Sequence, residues 1–242
     1  MSNAGTERIP GVLGGMGPQA TVDFLNAIIA LTPAGGDQDH LRILIDNNPK
    51  VPDRQAAMRG DDDGVQKALH AMAQGLERQG ADFLVMPCNT AHAFLRETLA
   101  SITVPFVSII DVTVEAIKDA VPDAKRVGLL ATDACIESEN YQRAAAEAGL
   151  DVAVPAEDDQ AECMQLIRAV KAGDTGPEVR KRMVALASMM TDDGVDAVIA
   201  GCTEIPLVLS QNAVSVPLLS STDILAARTV DLALGRRNLP DT

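Results

Sequence analysis

The sequence predicts an α/β protein in which one plan, a parallel sheet flanked by helices, is used twice. Two observations carry that expectation. Short apolar runs alternate with longer segments of helical period, and a stretch around one cysteine returns more than a hundred positions later around a second. Such alternation is the pattern of parallel sheets covered on their faces by helices.

The apolar runs expected to be strands are Ile9 to Leu13, Leu41 to Ile45, Phe83 to Met86, Phe106 to Ile110, Val127 to Ala131, Val152 to Val154, Ala197 to Ala200 and Val216 to Leu219. Between them, Val65, Leu69, Met72 and Leu76 recur at spacings of four, three and four, and Val179, Met183, Leu186 and Met190 repeat the pattern. Both segments are expected to be amphipathic helices.

The repeat is explicit when two stretches are laid side by side. Gly80-Ala-Asp-Phe-Leu-Val-Met-Pro-Cys88-Asn-Thr90 matches Gly194-Val-Asp-Ala-Val-Ile-Ala-Gly-Cys202-Thr203, and Val104-Pro-Phe-Val-Ser-Ile-Ile-Asp111 matches Val216-Pro-Leu-Leu-Ser-Ser-Thr-Asp223. Cys202 follows Cys88 by 114 positions and Val216 follows Val104 by 112, so the register holds. Gly11-Val-Leu-Gly-Gly15 and Gly128-Leu-Leu-Ala-Thr132 open the two halves. The expected domains are therefore residues 1–112 with 223–242, and residues 113–222. The last helix, from near Thr222 or Asp223, is expected to return to the first half. Residues 1 to about 7, where Ser2-Asn3-Ala4 resembles a cloning scar, take no part in this reading.

The chain has 242 residues, 47% hydrophobic, 22% charged and only 2% aromatic, so its cores must be built from aliphatic side chains. A net charge of -14, with no long basic run, argues against nucleic acid and anionic membrane as partners. No apolar run approaches the roughly 20 residues that cross a bilayer, and no signal pattern opens the chain; a cytoplasmic location is expected. Cys88, Cys135, Cys163 and Cys202 are widely spaced without a CxxC pair, which indicates neither zinc nor a disulfide framework.

Chemistry concentrates on two of these cysteines. Cys88 and Cys202 each fall directly after a strand and before a segment expected to be helical, at the carboxyl edge where open α/β sheets bind ligands. A thiol at a helix N-terminus would have its pKa lowered. Cys135 and Cys163 read instead as small buried hydrophobes. Two thiols at equivalent positions, facing one cleft, suit a reaction that needs an acid on one face of a carbon and a base on the other, and racemisation is such a reaction.

Met86-Pro-Cys88-Asn-Thr-Ala-His92 and Gly201-Cys202-Thr-Glu-Ile-Pro206 resemble the two cysteine motifs of the aspartate/glutamate racemase superfamily. Gly14-Gly-Met-Gly-Pro18 and Asp46-Asn-Asn-Pro-Lys-Val-Pro-Asp-Arg54 resemble its aspartate racemase branch. Glutamate racemases usually carry His where this chain has Glu204. The resemblance, from about Ile9 to Leu234, implies two similar Rossmann-like parallel-sheet domains in pseudo-two-fold relation with an interdomain active site. It also implies catalysis by a thiol and a thiolate without pyridoxal phosphate or any other cofactor, and a homodimer. Carried over by motif, Arg54 and Lys171 of Val170-Lys-Ala-Gly173 grip the substrate carboxylates. An acidic substrate in so acidic a protein does need fixed cations.

Asn89, Thr90, Thr203 and Glu204 follow the cysteines where they could cap helices or orient the substrate, and the Gly-Met16-Gly loop is expected to form a cleft wall. That loop also fits G-x-G-x-x-A, but Pro18 removes an amide useful to pyrophosphate. His92 reads as a helix-surface or partly buried histidine, since His40 and His70 lie in unrelated segments and no metal set is expected. Asp61-Asp-Asp63 reads as a helix cap. The expected activity is interconversion of L- and D-aspartate or a related acidic amino acid. Glutamate or hydantoin racemisation, maleate isomerisation and non-catalytic carboxylate binding are the alternatives; a decarboxylase would need only one of the two cysteines.

Overall fold

The computed structural model describes residues 7–60 and 62–240, and in these eight strands form two four-stranded sheets. In chain order the first set of elements is β1 (Pro10–Gly14), α1 (Pro18–Leu31), β2 (Leu44–Asn47), α2 (Arg54–Met58), α3 (Asp63–Arg78), β3 (Phe83–Val85), α4 (Arg96–Leu99) and β4 (Phe106–Val107). The next is α5 (Ile109–Ala120), β5 (Arg126–Leu130), α6 (Asp133–Glu137), α7 (Asn140–Glu147), β6 (Asp151–Ala153), α8 (Glu157–Lys171), α9 (Pro177–Asp192), β7 (Ala197–Ala200), β8 (Leu218–Ser220) and α10 (Ser221–Ala233).

The sheets run β2-β1-β3-β4 and β6-β5-β7-β8, every neighbouring pair parallel, so both follow the order second, first, third, fourth. Residues Ile110–Ser221 form one compact unit, and the residues before and after them form the other. The chain leaves the first unit between Ile109 and Ile110 and returns to it between Ser221 and Thr222. These crossings fall at equivalent points of the repeat, each at the start of the helix that follows a unit's fourth strand.

The repeated residues do the same work in both units. Gly11 in β1 pairs in register with Leu84, and Gly128 in β5 with Val198. A Cβ on Gly11 would lie 2.6 Å from Leu84 and 3.2 Å from Leu76 of α3, and one on Gly128 would lie 3.1 Å from Met190 of α9. Glycine in the first strand thus lets a helix settle directly on the sheet. Asp82 accepts the Ile9 amide at 2.7 Å, and Asp196 accepts the Lys125 and Arg126 amides at 2.7 and 2.9 Å. The Gly-x-Asp before each third strand therefore pins the beginning of each first strand. The periodic residues Val65, Leu69, Met72 and Leu76 are buried in α3, and Val179, Met183, Leu186 and Met190 in α9.

Some boundaries differ from the sequence expectation. Ile109 and Ile110, expected to end a strand, begin α5 and are buried there, because an apolar run of this length packs equally well on a helix and the Ile109 amide finds a side-chain acceptor in His92. Asp62 stands at the N-cap of α3, but its carboxylate accepts from the Gln66 side chain at 2.7 Å rather than from a backbone amide; Asp61 lies outside the described residues. At the other end of the chain, Arg8 donates from its amide to the Ala233 carbonyl and from its guanidinium to the Leu232 carbonyl, both at 2.9 Å. The first bond satisfies a carbonyl in the last turn of α10, and the second is shared with the Gly235 amide, which also donates to Leu232.

Candidate active site

Cys88 lies three residues beyond the end of β3, and Cys202 two beyond the end of β7, each at the carboxyl edge of its own sheet beside the first strand. Each thiol belongs to its unit's apolar cluster, Cys88 with Met16, Val51 and Ala91, Cys202 with Cys163, Met164 and Ile205. Both are nearly closed off from water, 7% and 8% exposed.

Long helices do not follow the cysteines. Residues Thr90–Phe94 form a 3₁₀ turn, succeeded by the four-residue α4, and Ile205–Leu207 form a single 3₁₀ turn. The expectation of a helix-lowered thiol pKa is corrected at Cys202, where a single short turn has little dipole to offer. The Cys202 thiol is held well above the ordinary cysteine value instead, because burial disfavours the thiolate and the Glu204 carboxylate stands beside it.

The geometry at Cys202 is specific. Its Sγ–H donates to Glu204 Oε2 at 2.9 Å, Thr203 Oγ1 donates to the same oxygen at 3.0 Å, and Lys171 Nζ lies 3.9 Å from Glu204 Oε1. Glu204 is buried and Lys171, the last residue of α8, remains 44% exposed. One carboxylate thus takes a thiol and a hydroxyl on one oxygen and faces an ammonium with the other. Lys171 also favours the Cys202 thiolate electrostatically. Glu204 acts on the thiol directly and Thr203 on the Glu204 carboxylate, and Glu204 caps no backbone amide of the following turn through its side chain.

At Cys88 the organising residue is His92. Its Nδ1 lies 2.8 Å from the Cys88 carbonyl oxygen, which can only accept, and its Nε2 receives the Ile109 amide at 3.2 Å. The ring is therefore neutral with its proton on Nδ1. Desolvation lowers its pKa to about 4, against a smaller opposing effect of the Cys88 carbonyl. His92 is a structural tie between the cysteine loop and the start of α5, and its ring also packs at 5.5 Å on Phe106. Asn89 and Thr90 are buried at the start of the turn, where Asn89 makes no side-chain cap.

Arg54 opens α2, whose N-cap Asp53 accepts the Ala56 amide at 2.9 Å. Its guanidinium donates to the Val51 and Pro52 carbonyls at 3.3 and 3.0 Å, and among the described residues it forms no ion pair. Met16 is buried in the same cluster as Cys88. Gly15, with φ +90°, lies so close to Asn48 that a Cβ would stand 2.4 Å from backbone, which explains the glycine directly after β1. Gly17 and Pro18 start α1, with Pro at its favoured first position.

The remaining thiols fit packing roles. Cys135 is buried, and burial pushes the Cys163 thiol up to about 12. No cluster of three or more His, Cys, Asp or Glu suited to a metal occurs among the described residues, and no helix among them is long and apolar enough to cross a membrane. Sequence reasoning passed over Ser221 and Tyr141. Ser221 had a signal, since it replaces the isoleucine found at the same point of the first copy.

The profile of a family described as Asp/Glu/Hydantoin racemase matches residues 13–229. A broad specificity amino-acid racemase of Bacillus subtilis (strain 168) is 31% identical over 233 residues, 93% of this chain and 97% of that protein. Among solved structures, a Picrophilus torridus aspartate racemase superposes with a TM-score of 0.82 at 31% identity, covering 96% of each chain. An aspartate racemase homologue from Pyrococcus horikoshii OT3 superposes with a TM-score of 0.78 at 26% identity, covering 93% of this chain and 99% of that one.

Proposed function

Since the chain belongs to the Asp/Glu/hydantoin racemase family, we propose that it interconverts the L- and D-forms of aspartate, or of a closely related acidic amino acid, by a two-thiol reaction on its own side chains. The observation that carries this reading is the placement of Cys88 and Cys202 at equivalent positions of the two units, each at the carboxyl edge of its sheet.

The reading requires one substrate Cα to meet both sulfurs. The thiolate of one cysteine removes the α-proton, the electron pair passes into the substrate carboxylate, and the thiol of the other cysteine returns a proton to the opposite face. One proton is gained and one lost, so the enzyme ends with the roles of the cysteines exchanged. Cys202, held as a thiol against Glu204, starts as the acid, with Cys88 as the base. When Cys202 gives up its proton, its thiolate stands beside a carboxylate, and the Lys171 ammonium offsets that repulsion. Arg54, which has no carboxylate partner among the described residues, is the group to hold a substrate carboxylate through paired hydrogen bonds.

A wider substrate range is the second reading, favoured by the similarity to the broad specificity racemase over nearly the whole chain. Proton NMR in D₂O, with reducing agent and no added cofactor, separates the two. L-aspartate, L-glutamate and a neutral amino acid are each followed for loss of the α-proton signal and for decay of optical rotation. Exchange confined to the acidic substrates, abolished by Cys88→Ser and by Cys202→Ser, supports aspartate-type racemisation. Comparable exchange with the neutral amino acid supports the wider range. No exchange with any substrate sinks both and leaves carboxylate binding or another superfamily reaction.

A further inference from the structure

The two cysteine loops are tied to the rest of their units by different chemistry at equivalent points. In the first unit the Met86 carbonyl accepts the amide of Cys88 itself at 2.8 Å, and His92 links the Cys88 carbonyl to the amide of Ile109. In the second unit the Ala200 carbonyl, two residues before Cys202, accepts from the Ser221 hydroxyl at 3.0 Å. Ser221 occupies the repeat position of Ile109, and each is the last residue of its unit before the chain crosses to the other.

Ser221 is in turn held by Tyr141. The phenol of Tyr141, on α7, shares hydrogen bonds with the hydroxyls of Ser221 and of Thr113 on α5. All three residues are fully buried. Thr113 lies four residues beyond the first crossing, and Ser221 immediately before the second. This one phenol therefore joins both chain crossings to each other and, through Ser221, to the strand end that carries Cys202. A buried hydroxyl in an aliphatic interior is costly unless it is bonded, so the sole tyrosine of the chain is held where its oxygen has partners.

We propose that Tyr141, acting through Ser221, is a positioning residue for Cys202, as His92 is for Cys88. The inference rests on the two-thiol reading for its catalytic consequence, but the tether itself is a property of the fold. Removing the phenol oxygen frees Ser221 to turn away from Ala200, and the Cys202 loop gains freedom while the Cys88 loop, held by His92 in the other unit, does not. The substrate-gripping Arg54 is untouched, so turnover suffers more than binding.

The test uses the full-length protein and the variants Tyr141→Phe and Ser221→Ala. The rate of iodoacetamide labelling at each cysteine is read by peptide mass spectrometry, beside kcat and KM from α-proton exchange. Labelling of Cys202 is expected to rise about tenfold in either variant, the effect of about one lost hydrogen bond, with Cys88 unchanged and the double variant no worse than the singles. Over the same series kcat falls by about the same factor while KM stays within about twofold. Equal labelling of Cys202 in wild type and variants, or parallel acceleration of both cysteines with a lowered urea midpoint, overturns the tether and makes Tyr141 a packing residue. Selective labelling with unchanged kcat overturns its catalytic role. If Tyr141→Phe fails to fold, Ser221→Ala alone decides, since it cuts the bond to Ala200 directly. Absence of any racemisation counts against the two-thiol reading, whereas the labelling rates still report on the tether.

Discussion

Lowering the pH is expected to weaken the fold through His92, by an amount the structure allows to be worked out. In the native protein the ring donates from Nδ1 to the Cys88 carbonyl and accepts the Ile109 amide on Nε2. Protonation places a hydrogen on Nε2 against that amide, so one bond is lost and two donors confront each other. The folded pKa of about 4 lies below the ordinary value of 6.5, so the proton binds the unfolded chain more tightly. The neutral ring therefore contributes its full stability above about pH 6.5 and loses it as pH falls toward 4. Each unit of depression is worth about 1.4 kcal/mol, so the complete loss below pH 4 is about 3 kcal/mol, of which about 2 kcal/mol has gone by pH 5. Urea unfolding at pH 7.5 and pH 5.0, for wild type and for His92→Gln, isolates this contribution from all other titrations. The wild type should lose about 2 kcal/mol more than the variant between the two conditions. Parallel losses in both proteins, within about 0.5 kcal/mol, would refute the assignment of the ring as a buried neutral tie.

Glu204→Gln removes the negative charge that raises the Cys202 thiol, so at pH 8 iodoacetamide should label Cys202 faster than in wild type while α-proton exchange slows; slower labelling would contradict the electrostatics of the pair. Gly15→Ala places a Cβ against the Asn48 backbone at positive φ and should cost at least about 2 kcal/mol by urea unfolding. Gly17→Ala, with open space and ordinary φ, should cost less than about 1 kcal/mol. Asp196→Asn weakens the pin on two amides of β5 and should cost about 1 kcal/mol near neutrality. Because hydrogen bonds from those amides lower the folded pKa of Asp196, its contribution is present above about pH 4 and fades as pH falls through the lowered value; the acid unfolding curves of the two proteins should converge there.

Sequence alone determined the plan and its duplication. Strand and helix periods are local properties, so the runs around Val12, Leu84, Val127 and Val198 declared their elements without any knowledge of their partners. The repeat placed Cys88 and Cys202 at matching strand ends, and the glycines and aspartates it carried, Gly11 with Gly128 and Asp82 with Asp196, proved to do matching work. Only tertiary structure decided what surrounds each thiol. The bond from Cys202 to Glu204 depends on the side-chain path within a three-residue turn, and Lys171 reaches Glu204 from the end of a helix more than thirty positions earlier. The sequence reads His92 as a helix-surface or partly buried histidine; that it ties two segments together is not legible there, because the sequence does not reveal that β4 ends at Val107 and that the next helix brings the Ile109 amide to the ring. Tyr141, Thr113 and Ser221 lie on three elements far apart in the chain, and no period or motif links them. Hydrogen bonds of this kind are fixed by the folded backbone, which brings donor to acceptor only after burial has chosen the packing.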